Sequence, residues 1–301
     1  MDWAILAGFL AAAVRVSTPL LLAALGETLA ERGGVINLGV EGAMLSGALA
    51  GALAAPALGP WVGMLVGVAA GVLMALVFVG TAIVGRADQI IAGTAVTLGA
   101  IGITGVIYRE TLGGAGAGLD LPTLGNLSIP GLSRIPVLGE AFFMQPAPTY
   151  LAWALVPATW WLLFRTRWGL QLRATGEAPA AARASGVRIR MVQSVATLMG
   201  GALAGLGGAT LVLAQVGAFA ERMTAGRGFI AIAVVVLGRW HPVWVLAAAL
   251  LFGGATALQF LFQAMGLDVP YQFFLMLPYL LALAALAGGM GRARAPAGLT
   301  K

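Results

Sequence analysis

Residues 61–85 contain no charged side chain, and the run stops only at Arg86-Ala87-Asp88-Gln89 before a second apolar run over 90–108. About 20 such residues are enough to cross a bilayer core. In lipid each backbone polar group must find its partner within the segment, so runs of this kind fold as helices. Further apolar runs occupy 3–26, 43–58, 149–164, 191–215, 243–262 and 269–288. The chain is 60% hydrophobic and 9% charged, which excludes a water-soluble globular domain. The expected fold is therefore all-α, a polytopic transmembrane helical bundle forming one domain over residues 1–301.

The polar segments orient that bundle. Residues 165–190 carry six arginines (165, 167, 173, 183, 188 and 190) against one acid, Glu177. Arginine clusters beside spans mark the cytoplasmic side. Residues 109–148 differ in kind: five prolines, seven glycines and a net charge of −1 make them an extracytoplasmic loop. The tail 289–301, with Arg292, Arg294 and Lys301, reads as cytoplasmic and disordered. An even number of crossings must separate 165–190 from the tail, so the short apolar segment 227–240 must cross as a broken helix. The count is then about nine spans (8–10), with the N-terminus outside and the C-terminus inside. The opening MDWAILAGFL lacks a basic stretch, so no cleaved signal peptide is expected.

Two stretches depart from the span-and-loop pattern. Residues 26–51 include Glu27, Glu31, Arg32, Asn37 and Glu41 among glycines, too charged for a span and too apolar for a loop. Either they form a broken or re-entrant element with Asn37 and Glu41 on a pathway, or a cytoplasmic hairpin with solvated charges. Within 165–190, Gly176-Glu177-Ala178-Pro179 can open a short alanine-coated helix that Gly186 ends in a left-handed cap. Such a helix has little surface of its own to bury and suits docking into a groove; the alternative is a loop that only orients the protein. Gly63, Gly67 and Gly71, like Gly47 and Gly51, recur every four residues and predict close helix packing. Arg15 lies within the first run, either facing the bundle interior or close to an interface.

Composition also excludes chemistry. There is no cysteine, one histidine (His241) and one lysine (Lys301, the last residue). No P-loop lysine exists, so any ATP hydrolysis belongs to another subunit. A pI near 10.7 comes from arginines in loops beside spans, which fits membrane orientation and membrane lipid, with no nucleic acid partner. An intramembrane enzyme is disfavoured, and so is an ion-coupled secondary carrier for a small polar solute, because the clear spans hold almost no ionisable groups. Gln215, Gln259 and Gln263 either line a path for a polar solute or satisfy hydrogen bonds between helices.

Several motifs together resemble one family: GETLAERGGVINLGVEGAMLSGA, ADQIIAGTAVTLGAIGITGVIYR, RTRWGLQLRATGEAPAAARASGV, MTAGRGFIAIAVVVLGRWHP and PYLLALAALAG. They are similar to permease subunits of bacterial ABC importers in the branched-chain amino acid and simple-sugar permease superfamily, in its nucleoside and simple-sugar branch. The resemblance runs over nearly the whole chain. It implies a multi-pass protein of the bacterial inner (plasma) membrane that imports nucleosides or simple sugars by alternating access and binds no cofactor itself. ATP and Mg would sit on a partner ATPase with two fused nucleotide-binding domains. A second, homologous permease and an extracytoplasmic solute-binding lipoprotein are the other implied partners. Glu177, Ala178, Ala181, Ala182 and Gly186 match the family's cytoplasmic coupling segment; Asn37, Gly39, Glu41 and Gly42 match its glycine-rich signature near the pathway.

Overall fold

The computed structural model describes residues 3–112, 121–265 and 295–300, together with positions 272, 273, 276, 280 and 283. The elements are α1 (Trp3–Arg32), α2 (Val40–Leu58), α3 (Pro60–Phe78, continued by a π-turn over Val79–Val84) and α4 (Gln89–Leu112). After them come β1 (Asn126–Ser128), α5 (Leu138–Phe143), β2 (Met144–Pro146), α6 (Ala147–Arg165), α7 (Arg167–Glu177) and α8 (Pro179–Ala184). The chain continues with α9 (Ile189–Leu211, with a π-turn over Val212–Val216), α10 (Arg227–Leu237) and α11 (Pro242–Ala264). The fold is an all-α membrane bundle.

Among the described residues, six helices are long and apolar enough to cross a membrane: α1, α2, α3, α4, α9 and α11. The expected count of nine does not emerge from these residues. Pro148, Pro157, Tyr150 and three tryptophans lower the hydropathy of α6, which replaces the run at 149–164. α10 has 11 residues, about 16 Å of helix, roughly half of a bilayer core. The expected span over 269–288 lies outside the described residues.

Close backbone contact holds the centre together. A Cβ on Gly71 of α3 would fall 2.2 Å from the Gly201 carbonyl oxygen of α9, and one on Gly47 of α2 would fall 2.4 Å from that of Gly205. The four-residue glycine spacing thus serves close packing, as expected. Around this contact lies an aliphatic core from Leu20–Leu25 of α1, Met44 of α2, and Ala231, Val234 and Val235 of α10.

Several boundaries differ from the sequence reading. α1 does not stop at Gly26 but runs on to Arg32, because Gly26 is a packing contact against Gly200 and helix-forming residues follow it. The segment 165–190 holds two helices: Thr166 caps α7 by accepting from Gly169 N at 3.0 Å, and Glu177 ends α7 instead of opening the next helix. α8 then begins at Pro179, and Gly186 takes the left-handed conformation (φ 82°) as expected. In the 109–148 loop, β1 and β2 pair antiparallel with Leu127 opposite Gln145. The tail is not disordered over 295–300: Ala297–Thr300 forms a 3-10 turn, and its Gly298 packs against Gly34 and Gly176.

Candidate functional site

The stretch after α1 re-enters the bundle. Gln193 of α9 donates to the Gly33 carbonyl at 3.0 Å, whereas Gly208, fifteen residues further along α9, packs on Met44. Fifteen helical residues span about 22 Å, so the first turns of α2 lie well inside the bundle, far from the Gly33 level. The irregular backbone of 33–39 survives there because neighbouring groups take up its hydrogen bonds. Glu27 accepts from Asn37 N at 2.9 Å, Gln89 accepts from Ile36 N at 2.9 Å, and Thr97 donates to the Leu38 carbonyl at 2.9 Å. The Asn37 side chain accepts from Gly39 N at 3.0 Å. Glu27, Glu31, Asn37 and Glu41 are all buried, which overturns the solvated-hairpin alternative in favour of the re-entrant one.

Glu41 is the centre of this element. Its carboxyl accepts from Thr224 Oγ1 at 2.6 Å, Gly226 N at 2.9 Å and Gly228 N at 2.6 Å. Gly226 is the N-cap of α10 and Gly228 lies in its first turn, where the amides have no partner within the helix. A carboxylate from a different helix therefore caps α10 at mid-depth, where the helix dipole also favours negative charge. Gly228 is required for this approach, because a Cβ there would lie 2.5 Å from Glu41 Cα.

The other end of α10 reaches the arginine-rich end of the bundle. Trp240, just past α10, donates its indole N–H to Glu31 Oε2 and accepts from Arg32 Nε at 2.9 Å on its carbonyl. Arg32 Nη1 lies 3.7 Å from Glu177 Oε1 at the end of α7, and its guanidinium stands 5.8 Å from the Phe164 ring centroid. Arg173 covers Phe164 at 5.1 Å, and the His241 ring lies 5.3 Å from that of Phe164. Burial first, and the Arg32 charge second, push the His241 imidazole below its ordinary pKa. α7 cannot drift from this cluster, since a Cβ on Gly176 would sit 2.3 Å from the Arg32 carbonyl oxygen. Ala182 of α8 is buried, while Glu177, Ala178, Ala181 and Gly186 are exposed beside it.

The three glutamines named from sequence have different surroundings. Gln215 donates to the Arg15 carbonyl, which makes it a helix tie, and Arg15 itself is half-buried. Gln263 is exposed on α11, and Gln259 lines a cavity of about 210 Å³ between α1, the start of α10 and α11. Sequence reasoning named Arg32 among the charges of 26–51 without giving it a role, and it passed over Thr224, Gly228 and Trp240. The one signal available for them was the GRGF and GRWHP turns at the two ends of a run too short to cross. Among the described residues no three His, Asp or Glu side chains gather as a metal site.

Residues 9–286 match the family model described as branched-chain amino acid transport system / permease component. The chain belongs to that family of permease components. It is 38% identical over 290 residues to the guanosine ABC transporter permease protein NupQ of Bacillus subtilis, covering 93% of this chain and 91% of the relative. The nucleoside ABC transporter permease protein NupC of Lactococcus lactis is 35% identical, with the same coverage. The putative glucose ABC transporter permease protein TsgC13 of Haloferax volcanii is 40% identical over 266 residues, covering 87% and 79% of the two chains. No solved structure matches the chain. This permease component is thus a multi-pass inner-membrane transport protein and not an enzyme. Its polar groups are to be read as parts that bind, guide or move.

Proposed function

We propose that this chain is the transmembrane subunit of an ATP-binding-cassette importer that moves nucleosides or simple sugars inward by alternating access. The observation that carries the proposal is the continuous link from the exposed α8 to mid-membrane. α7 ends at Glu177 against Arg32, Arg32 holds the Trp240 carbonyl, and α10 runs from there to the Glu41 cap. Displacement of α8 by a cytoplasmic partner is then transmitted to α10 as a nearly rigid unit. Relatives named as guanosine, nucleoside and glucose ABC transporter permeases support the solute class. On this reading the ATPase has two fused nucleotide-binding domains that hold ATP and Mg. A second homologous permease completes the pathway, and a solute-binding lipoprotein delivers from outside. The topology is about nine spans with the arginine-rich end in the cytoplasm.

The test is Glu177→Arg combined with Gly186→Val in the assembled transporter. ATPase docking and uptake should both fall; survival of both removes the coupling role. A second reading, an ion-coupled carrier, gains from the burial of Glu27, Glu31 and Glu41 within α1 and α2. Each of these carboxyls, however, accepts hydrogen bonds from a neighbouring segment, which accounts for its presence. An ionophore that abolishes uptake at constant ATP would favour the carrier.

A further inference from the structure

The cavity beside the α10 cap has one wall with a clear chemical character. Phe252, Thr256, Gln259 and Phe260 of α11 follow helical spacing and line it together, facing Val16 and Leu20 of α1. Most of the lining is aliphatic or aromatic. The polar contributors are few: Arg227 donates to the Met223 and Thr224 carbonyls, and Thr256 donates to the Phe252 carbonyl at 2.9 Å. Gln259 differs from both. It is 8% exposed, and it lies between Phe252 and Phe260 on the lining of the cavity.

We propose that this cavity is a nucleobase subsite, in which the Gln259 amide pairs with the polar edge of a flat heterocycle packed against Phe252 and Phe260. This rests on the proposed import function and narrows its substrate class. An amide offers a donor and an acceptor side by side, the pattern that matches a base edge bidentately. Aromatic side chains accept the faces of any base. A hexose is a poor fit to the aromatic walls, because it has no flat unsaturated ring and carries hydroxyls around its whole rim. A nucleoside instead confines its hydroxyls to the ribose, outside this base subsite. Most of a hexose's hydroxyls would lose water in this cavity without gaining a partner, and a buried unpaired hydroxyl is strongly disfavoured.

The test uses the full transporter in proteoliposomes, with ATPase, partner permease and binding protein, supplied with labelled guanosine, adenosine, cytidine or glucose. Gln259→Leu should raise the KM for nucleosides about tenfold, as loss of paired hydrogen bonds predicts, in transporter shown to assemble with its ATPase. Gln259→Asn should recover part of the loss. 8-Azidoadenosine photolabelling of the unaltered protein should mark α11, independently of whether the variant inserts well. An unchanged KM in Gln259→Leu, or label confined to other helices, overturns the subsite. ATP-dependent uptake of glucose but no nucleoside overturns it while leaving the importer reading intact. Absence of ATP-dependent uptake of every solute removes both.

Discussion

The cap that Glu41 places on α10 gives the sharpest quantitative test. In Glu41→Ala the amides of Gly226 and Gly228 lose their acceptor in a buried setting, where the backbone holds them fixed. Each stranded amide costs about 1–3 kcal/mol, so the loss is about 2–6 kcal/mol. Thr224 adds little, since its hydroxyl can rotate to another acceptor. Glu41→Gln is milder and more telling. Its amide oxygen can keep the position that now accepts from Thr224 and Gly226, but its NH2 then faces the Gly228 N–H, donor against donor. That is one lost bond, about 1–3 kcal/mol. Thermal unfolding in detergent, read by tryptophan fluorescence, should rank the unaltered protein above Glu41→Gln and Glu41→Ala lowest, with uptake following the same order. Gly228→Ala should fail outright, because its Cβ meets backbone 2.5 Å away. Equal melting of Glu41→Gln, Glu41→Ala and the unaltered protein would refute the capping argument.

Two further outcomes follow from the arginine-rich end. Arg32→Ala should lower uptake strongly while ATPase docking persists, whereas Glu177→Gln should change stability by under about 1 kcal/mol, because Glu177 is 60% exposed and its ion pair is screened. Pull-down of the ATPase beside uptake separates these effects; a null result for Arg32→Ala would break the proposed link. His241 supplies a pH signature. Its imidazole is held below the ordinary value of 6.5, so the unfolded chain binds the proton more readily. Stability should therefore fall as pH drops through 6.5 and level off below the depressed value. A melting profile from pH 8 to 5 should lose this slope in His241→Phe, and an unchanged slope would count against the assignment.

What the sequence disclosed and what it withheld divide along physical lines. Apolar runs locate α3, α4, α9 and α11 well, since hydrophobic length is a local property. The glycine spacing of 63, 67 and 71 foretold close packing for the same reason. The continuation of α1 past Gly26 was hidden, because Glu27, Glu31 and Arg32 look like loop residues until their partners at 37 and 240 are known. Those partners lie as much as 209 positions away in sequence. Glu41 was singled out from its glycine surroundings, but its role as a remote cap required Thr224 and Gly228, which no local pattern connects to it. Of the three glutamines, spacing alone gave no reason to separate Gln259 from Gln215, and only the third dimension shows Gln215 tied to Arg15 and Gln259 lining a cavity.

On the proposed mechanism, the placement of left-handed residues fits α10 as the part of this permease component that moves. α10 is preceded by Arg222, Ala225 and Gly226 and followed by Arg239 and Trp240, all at positive φ between 48° and 83°. For side-chain-bearing residues this costs about 1–2 kcal/mol each, and it persists only where surrounding contacts impose it. Those contacts are Glu41 at one end and Glu31 with Arg32 at the other. The scaffold of α2, α3 and α9 has no such freedom, because its backbones already touch at Gly47, Gly71, Gly201 and Gly205. A push arriving at Arg32 therefore meets a rigid wall on the α9 side and a strained, two-point-held helix on the other. Releasing the Trp240 attachment relaxes the turn at 239–240 and frees α10 to pivot about its Glu41 cap, beside the cavity that Gln259 lines. On the proposed mechanism the switch at Trp240 and the solute site lie at opposite ends of α10, about 16 Å apart, and the distance from α8 is covered by α7, Arg32 and α10 with no further moving part.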